Sequence, residues 1–166
     1  MKKIFLIVSI LISIESLSQE KAKNQKERLA QYIGNWVSTD AISDSKPSLK
    51  PLIKMSVISK MDGNTLAVEV FQRQDSIYKL ILTELISYDA VTDQIVAFGQ
   101  NTARQCFVGK GFFDVKNKWV MEDRNLKNEL TMKVTFDFIS STEVVLKGEV
   151  PNSSGWQMKY TKVSNK

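Results

Sequence analysis

From Leu52 onward the chain alternates apolar and polar residues with a period of two. Ile53, Met55 and Val57 alternate with Lys54, Ser56 and Ile58; Leu66, Val68 and Val70 alternate with Ala67, Glu69 and Phe71. The clearest run sets Leu130, Met132, Val134, Phe136 and Phe138 against Thr131, Lys133, Thr135 and Asp137. Successive side chains of a strand point to opposite faces, so this pattern predicts strands that each bury one side only. Further strands are expected over Ile77–Tyr88, Ile95–Phe98, Arg104–Val115, Trp119–Arg124, Thr142–Val150 and Trp156–Val163. Turn signals separate them: Met61-Asp62-Gly63-Asn64, with Asp-Gly for a tight hairpin, then Asp89–Asp93, Lys116-Asn117-Lys118, Ser140-Ser141 and Pro151–Gly155. Gly109 and Gly111, inside one long strand, suggest a bend or bulge.

The strands number roughly ten and recur about every 10–14 residues. Such short connections leave no room for helical crossovers, so neighbours are expected to be antiparallel. Half-buried strands in sequence either stack as two sheets or close on themselves, and closure removes the exposed edges. The expected fold is all-β: an antiparallel up-and-down barrel of about 8–10 strands. Ahead of it, Glu20 to Ala30 is polar and rich in helix formers, with Leu29, Tyr32 and Ile33 as a small apolar end. This gives a helical lead-in over residues 19–33 and a barrel over residues 34–166. Ala41 to Pro51, with two prolines and three serines, reads as a surface loop.

The N-terminus departs from the two-residue period. Lys2 and Lys3 precede an eleven-residue run, Ile4 to Ile14, broken only by Ser9 and Ser13. Ser16 and Ser18 supply small residues at the −3 and −1 positions that a signal peptidase reads, so residues 1–18 read as a signal peptide cut before Gln19. The run is too short for the roughly 20 residues that span a bilayer. No membrane span is therefore expected after cleavage, and the mature chain is expected to be exported, soluble, and either periplasmic or secreted. The lone Cys106 cannot form an internal disulfide and reads as a buried thiol in a β-patterned stretch.

The formal charge of +5 falls to +4 once two lysines and one glutamate leave with the signal. Lysines and carboxylates alternate, as in Lys127-Asn128-Glu129 and Lys147-Gly148-Glu149, and no basic stripe carries interleaved aromatics. That speaks against a nucleic-acid partner. The chain has no histidine. Ser-His-Asp and Cys-His relays are excluded, and so are the common zinc sites. No cofactor is expected.

The order Tyr32-Ile33-Gly34-Asn35-Trp36 places a helix-leading segment and Gly-x-Trp at the start of the first strand. Tyr88-Asp89 followed by a turn and Ile95, Gly109-x-Gly111-x-x-Asp114 ahead of Trp119, Gly155-Trp156 opening the last strand and Tyr160-Thr161-Lys162 closing it extend the pattern over residues 32 to 162. In order and spacing this resembles the lipocalin-like (calycin) barrels, and among them the exported bacterial lipocalin-like proteins of uncharacterised function. The resemblance implies a barrel of eight to ten strands with an interior cavity, a barrel end closed by Gly34 and Trp36, and a small apolar ligand. It does not imply which ligand. Some of these barrels hold haem through a histidine, which is absent here, and lipocalins with paired cysteines differ from this chain.

The candidate ligand contacts are Phe71, Tyr88, Arg104, Phe107, Trp119, Glu122 and Arg124. The aromatic rings read either as core or as cavity wall. Glu122-Asp123-Arg124 is the densest charged cluster, and in a strand Glu122 and Arg124 share a face. The pair reads either as a charged group inside a cavity or, preferred here, as a surface ion pair of little energetic weight. Glu69, Arg73, Glu84 and Arg104 take the same surface reading. Three functions stand, in order: a small-molecule binding protein, a structural or interaction module of the cell envelope whose protein partner the sequence does not name, and an enzyme using two converging carboxylates. The want of histidine makes catalysis the last of these.

Overall fold

The computed structural model describes residues 25–42, 53–114 and 117–163. The expected signal peptide, the start of the lead-in and most of the expected loop before Pro51 lie outside the described residues. Residues 25–30 form a helix. Ten strands follow: β1 (Gly34–Ile42), β2 (Ile53–Lys60), β3 (Thr65–Gln74), β4 (Ile77–Asp89), β5 (Gln94–Asn101), β6 (Cys106–Phe113), β7 (Lys118–Asn125), β8 (Leu130–Phe138), β9 (Glu143–Glu149) and β10 (Trp156–Val163). Each strand pairs antiparallel with the next, and β1 also pairs with β10 from Asn35↔Val163 to Ile42↔Gln157, so the meander closes into a barrel with no free edge. Among the described residues no helix is long and apolar enough to cross a membrane.

The two-residue period becomes the wall. Ile53, Met55 and Val57 of β2, Leu66, Val68 and Val70 of β3, and Val134, Phe136 and Phe138 of β8 are buried inside. The alternate positions, such as Lys54, Glu69, Lys110, Glu122 and Lys147, are exposed outside. Several turns place Asp or Asn at positive φ, as at Asp75, Asp93, Asn117, Asn128 and Asn152. These residues visit the left-handed region at low cost, which explains why they punctuate the strands.

Three local expectations change. The Met61–Asn64 turn is a four-residue loop closed by the Lys60↔Thr65 pair, with Met61, Asp62 and Gly63 all at positive φ, wider than a two-residue hairpin. The strand expected from Arg104 starts at Cys106, because Arg104 itself has φ 62° in the turn after Asn101. Gly109 and Gly111 make no bulge: they pair in register with Asp123 and Met121. The register instead shifts in β1 against β10, between Val70 and Phe71 of β3 against β4, and between Asp123 and Arg124 of β7 against β8.

One end of the barrel is closed from within by aromatic packing. Trp36 is wholly buried and its indole N–H donates to the Tyr32 carbonyl at 2.8 Å. Trp119 stacks on Phe136 at 4.3 Å between ring centres, and Tyr32 meets both rings edge-on. The helix is tied across this end. Gln25 brackets the Phe113 backbone, donating to its carbonyl at 3.0 Å and accepting from its N–H at 2.8 Å. Arg28 donates to the Asp114 carbonyl, and the amides of Gln31 and Asn117 exchange two hydrogen bonds. Lys162 donates to the Gln31 carbonyl at 3.0 Å while its ammonium sits 4.7 Å from the Trp36 ring centre, a cation–π contact. Gly34 opens β1 at φ 133°, a conformation that favours glycine, and a Cβ there would press on the Lys162 side chain at 3.2 Å.

Candidate functional site

Beyond the aromatic floor the barrel encloses a lumen of about 940 Å³ that opens at the opposite end. Its floor includes Tyr32 and Phe136, its wall Val68, Val70, Met121, Val134, Leu146 and Met158, and its rim residues from the 101–107, 125–131 and 150–151 segments. The volume lies within the range of about 300–1,000 Å³ typical of small-molecule sites.

Glycine placement keeps this space open. A Cβ at Gly99 would lie 2.3 Å from the Phe107 ring, its cross-strand partner, and a Cβ at Gly148 would lie 2.1 Å from the Trp156 ring, its partner on β10. Each ring therefore occupies the space over a glycine of the neighbouring strand, where a larger residue would displace it. At Gly109 a Cβ would stand 2.7 Å from both Asp123 Oδ1 and Met121 Sδ, so this glycine makes room for the Asp123 carboxyl.

Two carboxyls lie on the inner wall. Glu84 of β4 is 6% exposed and Asp123 of β7 is 3% exposed. Glu84 occupies an inward position in phase with Leu82 and Ile86, and Asp123 one in phase with Trp119 and Met121. Both line the lumen, and among the described residues neither Glu84 Oε1 nor Asp123 Oδ1 has a hydrogen-bond partner. Burial, with the neighbouring charge of Asp123 second, raises the Glu84 carboxyl to about 8. Burial raises the Asp123 carboxyl to about 6. The Tyr32 hydroxyl donates to Met55 Sδ at 3.4 Å and the Tyr160 hydroxyl to Met158 Sδ at 3.6 Å, both weak acceptors. Two of the three register shifts lie beside these carboxyls. Ile81 is the extra residue of β4 three positions before Glu84, and Thr131 is the extra residue of β8 opposite Asp123, donating to its carbonyl at 3.0 Å.

Of the candidate contacts, Arg104 and Phe107 are on the lumen rim and wall. Phe71 is half-buried beside the β3 shift and Tyr88 donates to Asp93 at 3.2 Å near the closed end. Trp119 belongs to the aromatic floor, and its indole N–H is buried without a partner among the described residues. Glu122 and Arg124 pair at 3.1 Å on the outer face. Gly34 and Trp36 stand at the closed end. The surface reading of Glu84 is corrected: its position in the apolar row of β4 puts it inside. That phase is the signal that would have found it, and the same holds for Asp123, one residue from the ion pair that drew attention to the cluster.

Compared with known proteins, the chain is matched by no family model and by no curated protein.

Proposed function

We propose that this chain is an exported binding protein that carries or senses a small, largely apolar molecule in the lumen of a lipocalin-like barrel. The observation that carries the reading is the open lumen of about 940 Å³, walled mainly by Val, Leu, Ile, Met and Phe. A barrel whose side chains did no more than fill it would leave no such space. Phe107 and Trp156 folded onto glycines, and a rigid aromatic floor beneath, support a preformed site that loses little entropy on binding. Arg104, Phe107 and the rim segments are the contacts a ligand meets on entry. Export follows the reading of residues 1–18 as a signal, so protein recovered from its own host is expected to begin at Gln19, as intact mass will read.

Native mass spectrometry of that protein tests binding. The expected result is a chain carrying a stoichiometric adduct of a few hundred daltons, the mass that a lumen of this size admits. A bare chain that also shows no saturable binding to a graded panel of aliphatic and aromatic alcohols would overturn the reading.

A second reading rests on the outer face. Ile58, Ala67, Leu85, Phe98 and Val108 are cross-strand neighbours in one row over β2 to β6, and Ile58, Leu85 and Phe98 are exposed. Exposed apolar rows of this kind favour protein contact. On this reading, Leu85→Lys with Phe98→Lys abolishes co-purification of an envelope partner and leaves lumen binding intact.

A further inference from the structure

We propose that the inner lumen is a subsite for the ammonium group of an amphiphilic amine, received by Glu84 and Asp123, with the amine's apolar body against Val68, Val70, Met121 and Val134. The inference rests on the small-molecule reading above and adds to it the chemistry of the ligand's polar end.

A buried carboxyl oxygen without a donor is costly, and native interiors hold few of them. Here two such oxygens belong to two different strands and face the same cavity. Among the described residues, the lumen wall offers no cation at that depth. β3 presents Val68 and Val70, β5 presents Gly99, β6 presents Gly109 and Phe107, β8 presents Met132 and Val134, and β10 presents Met158 and Tyr160. The titratable groups facing the carboxyls are the phenols of Tyr32 and Tyr160. The cations Arg104 and Lys127 and the thiol of Cys106 stand at the rim. Both phenols are held neutral, their ionisation opposed first by burial.

Charge then narrows the class. In the empty barrel at neutral pH, Glu84 keeps its proton and Asp123 has lost most of its own. The pair therefore carries about one negative charge, which matches a monocation. An ammonium has three N–H donors, enough for Asp123, Glu84 and one more acceptor. A carboxylate ligand would be repelled, and a neutral alcohol would gain a hydrogen bond without the charge. Binding a cation favours the ionised forms, so an amine's affinity rises with pH through the Asp123 range near 6 and again through the Glu84 range near 8. It falls only when the amine itself loses its proton, above about 10.

Calorimetric titration of the full chain with decylamine, decanol and decanoate tests this, at several values between about pH 5.5 and 8.5. Near pH 8 decylamine is expected to bind about 10–100-fold more tightly than decanol, as charge-assisted hydrogen bonds in a dry site allow. Between pH 6 and 8 its heat of binding is expected to vary with the buffer's own heat of ionisation, reading a proton released from Glu84. Asp123→Asn is expected to remove most of the preference, read as the ratio of decylamine to decanol affinity; Glu84→Gln, which keeps the single charge on Asp123, is expected to keep part of that ratio but to abolish the buffer-dependent proton release and flatten the upper part of the pH profile. Decanol binding with no preference for the amine would overturn this proposal alone. So would a preference that survives in the double variant. Failure of all three ligands to bind would overturn it together with the small-molecule reading.

Discussion

Glu84 and Asp123 differ from the strand carboxylates Glu69 and Glu122 in the face of the strand they occupy. Glu69 and Glu122 take outward positions and meet water; Glu84 and Asp123 take inward ones and lose it. The consequence for the folded chain has a definite sign. Glu84 is raised from 4.5 to about 8, so between those values the folded protein holds a proton that the unfolded chain has released. Stability is full below about 4.5 and declines as pH rises toward 8; Asp123 adds a decline between 3.8 and about 6. In the ligand-free barrel, denaturant midpoints are expected to fall across this window by an amount worth a few kcal/mol, and Glu84→Gln is expected to remove the upper part of the fall. A Glu84→Gln profile as steep as that of the parent chain would place the titration elsewhere. Both carboxyls were legible in principle from the period of two. Composition pulled the other way, since isolated Asp and Glu are mostly exposed and Glu122 with Arg124 drew the eye to the outer face of the same cluster.

At the scale of the element, six of the ten strands follow a turn or loop read from the residues, and the alternation in β8 maps position by position onto inside and outside from Met132 onward. What alternation does not convey is where the register slips. The shifts at Val70/Phe71 and Asp123/Arg124 depend on how two strands meet, and Gly109 and Gly111 drew a bulge assignment that belongs to their neighbours. These glycines act through space and not through the path of the chain. Gly109→Ala is expected to cost about 1–3 kcal/mol by pressing a methyl on Asp123 Oδ1 and Met121 Sδ, both 2.7 Å from the new atom. Gly148→Ala has a different expected signature. It displaces the Trp156 ring, 2.1 Å from the new methyl, on the lumen wall, so long or branched ligands lose affinity while short ones keep it. Equal losses across a ligand series would show a general loss of folding instead.

The whole molecule is a barrel with two unlike halves. Its closed half is a solid core, where Trp36, Tyr32, Trp119, Phe113, Phe136 and Phe138 interlock under the helix. Trp36→Ala is expected to cost about 3–5 kcal/mol, read as a lower denaturant midpoint, because the cavity it leaves is walled by aromatic rings that collapse poorly. Closure of the meander was foreseeable from the strand count, since closure removes the edges of half-buried strands. The open half was implied by the resemblance but not legible in the residues themselves, because a row of Val, Leu, Met and Phe reads alike whether it fills a core or walls a cavity. The central claim is that this half is a preformed apolar binding site. The most direct measurement is the titration of a neutral apolar alcohol, decanol, into the parent chain and into Met132→Trp, which places an indole on the lumen wall. Saturable one-to-one binding by the parent chain, weakened tenfold or more in a Met132→Trp variant of unchanged fold, is the expected result. No saturable binding by the parent chain, or equal binding by both, would contradict the account.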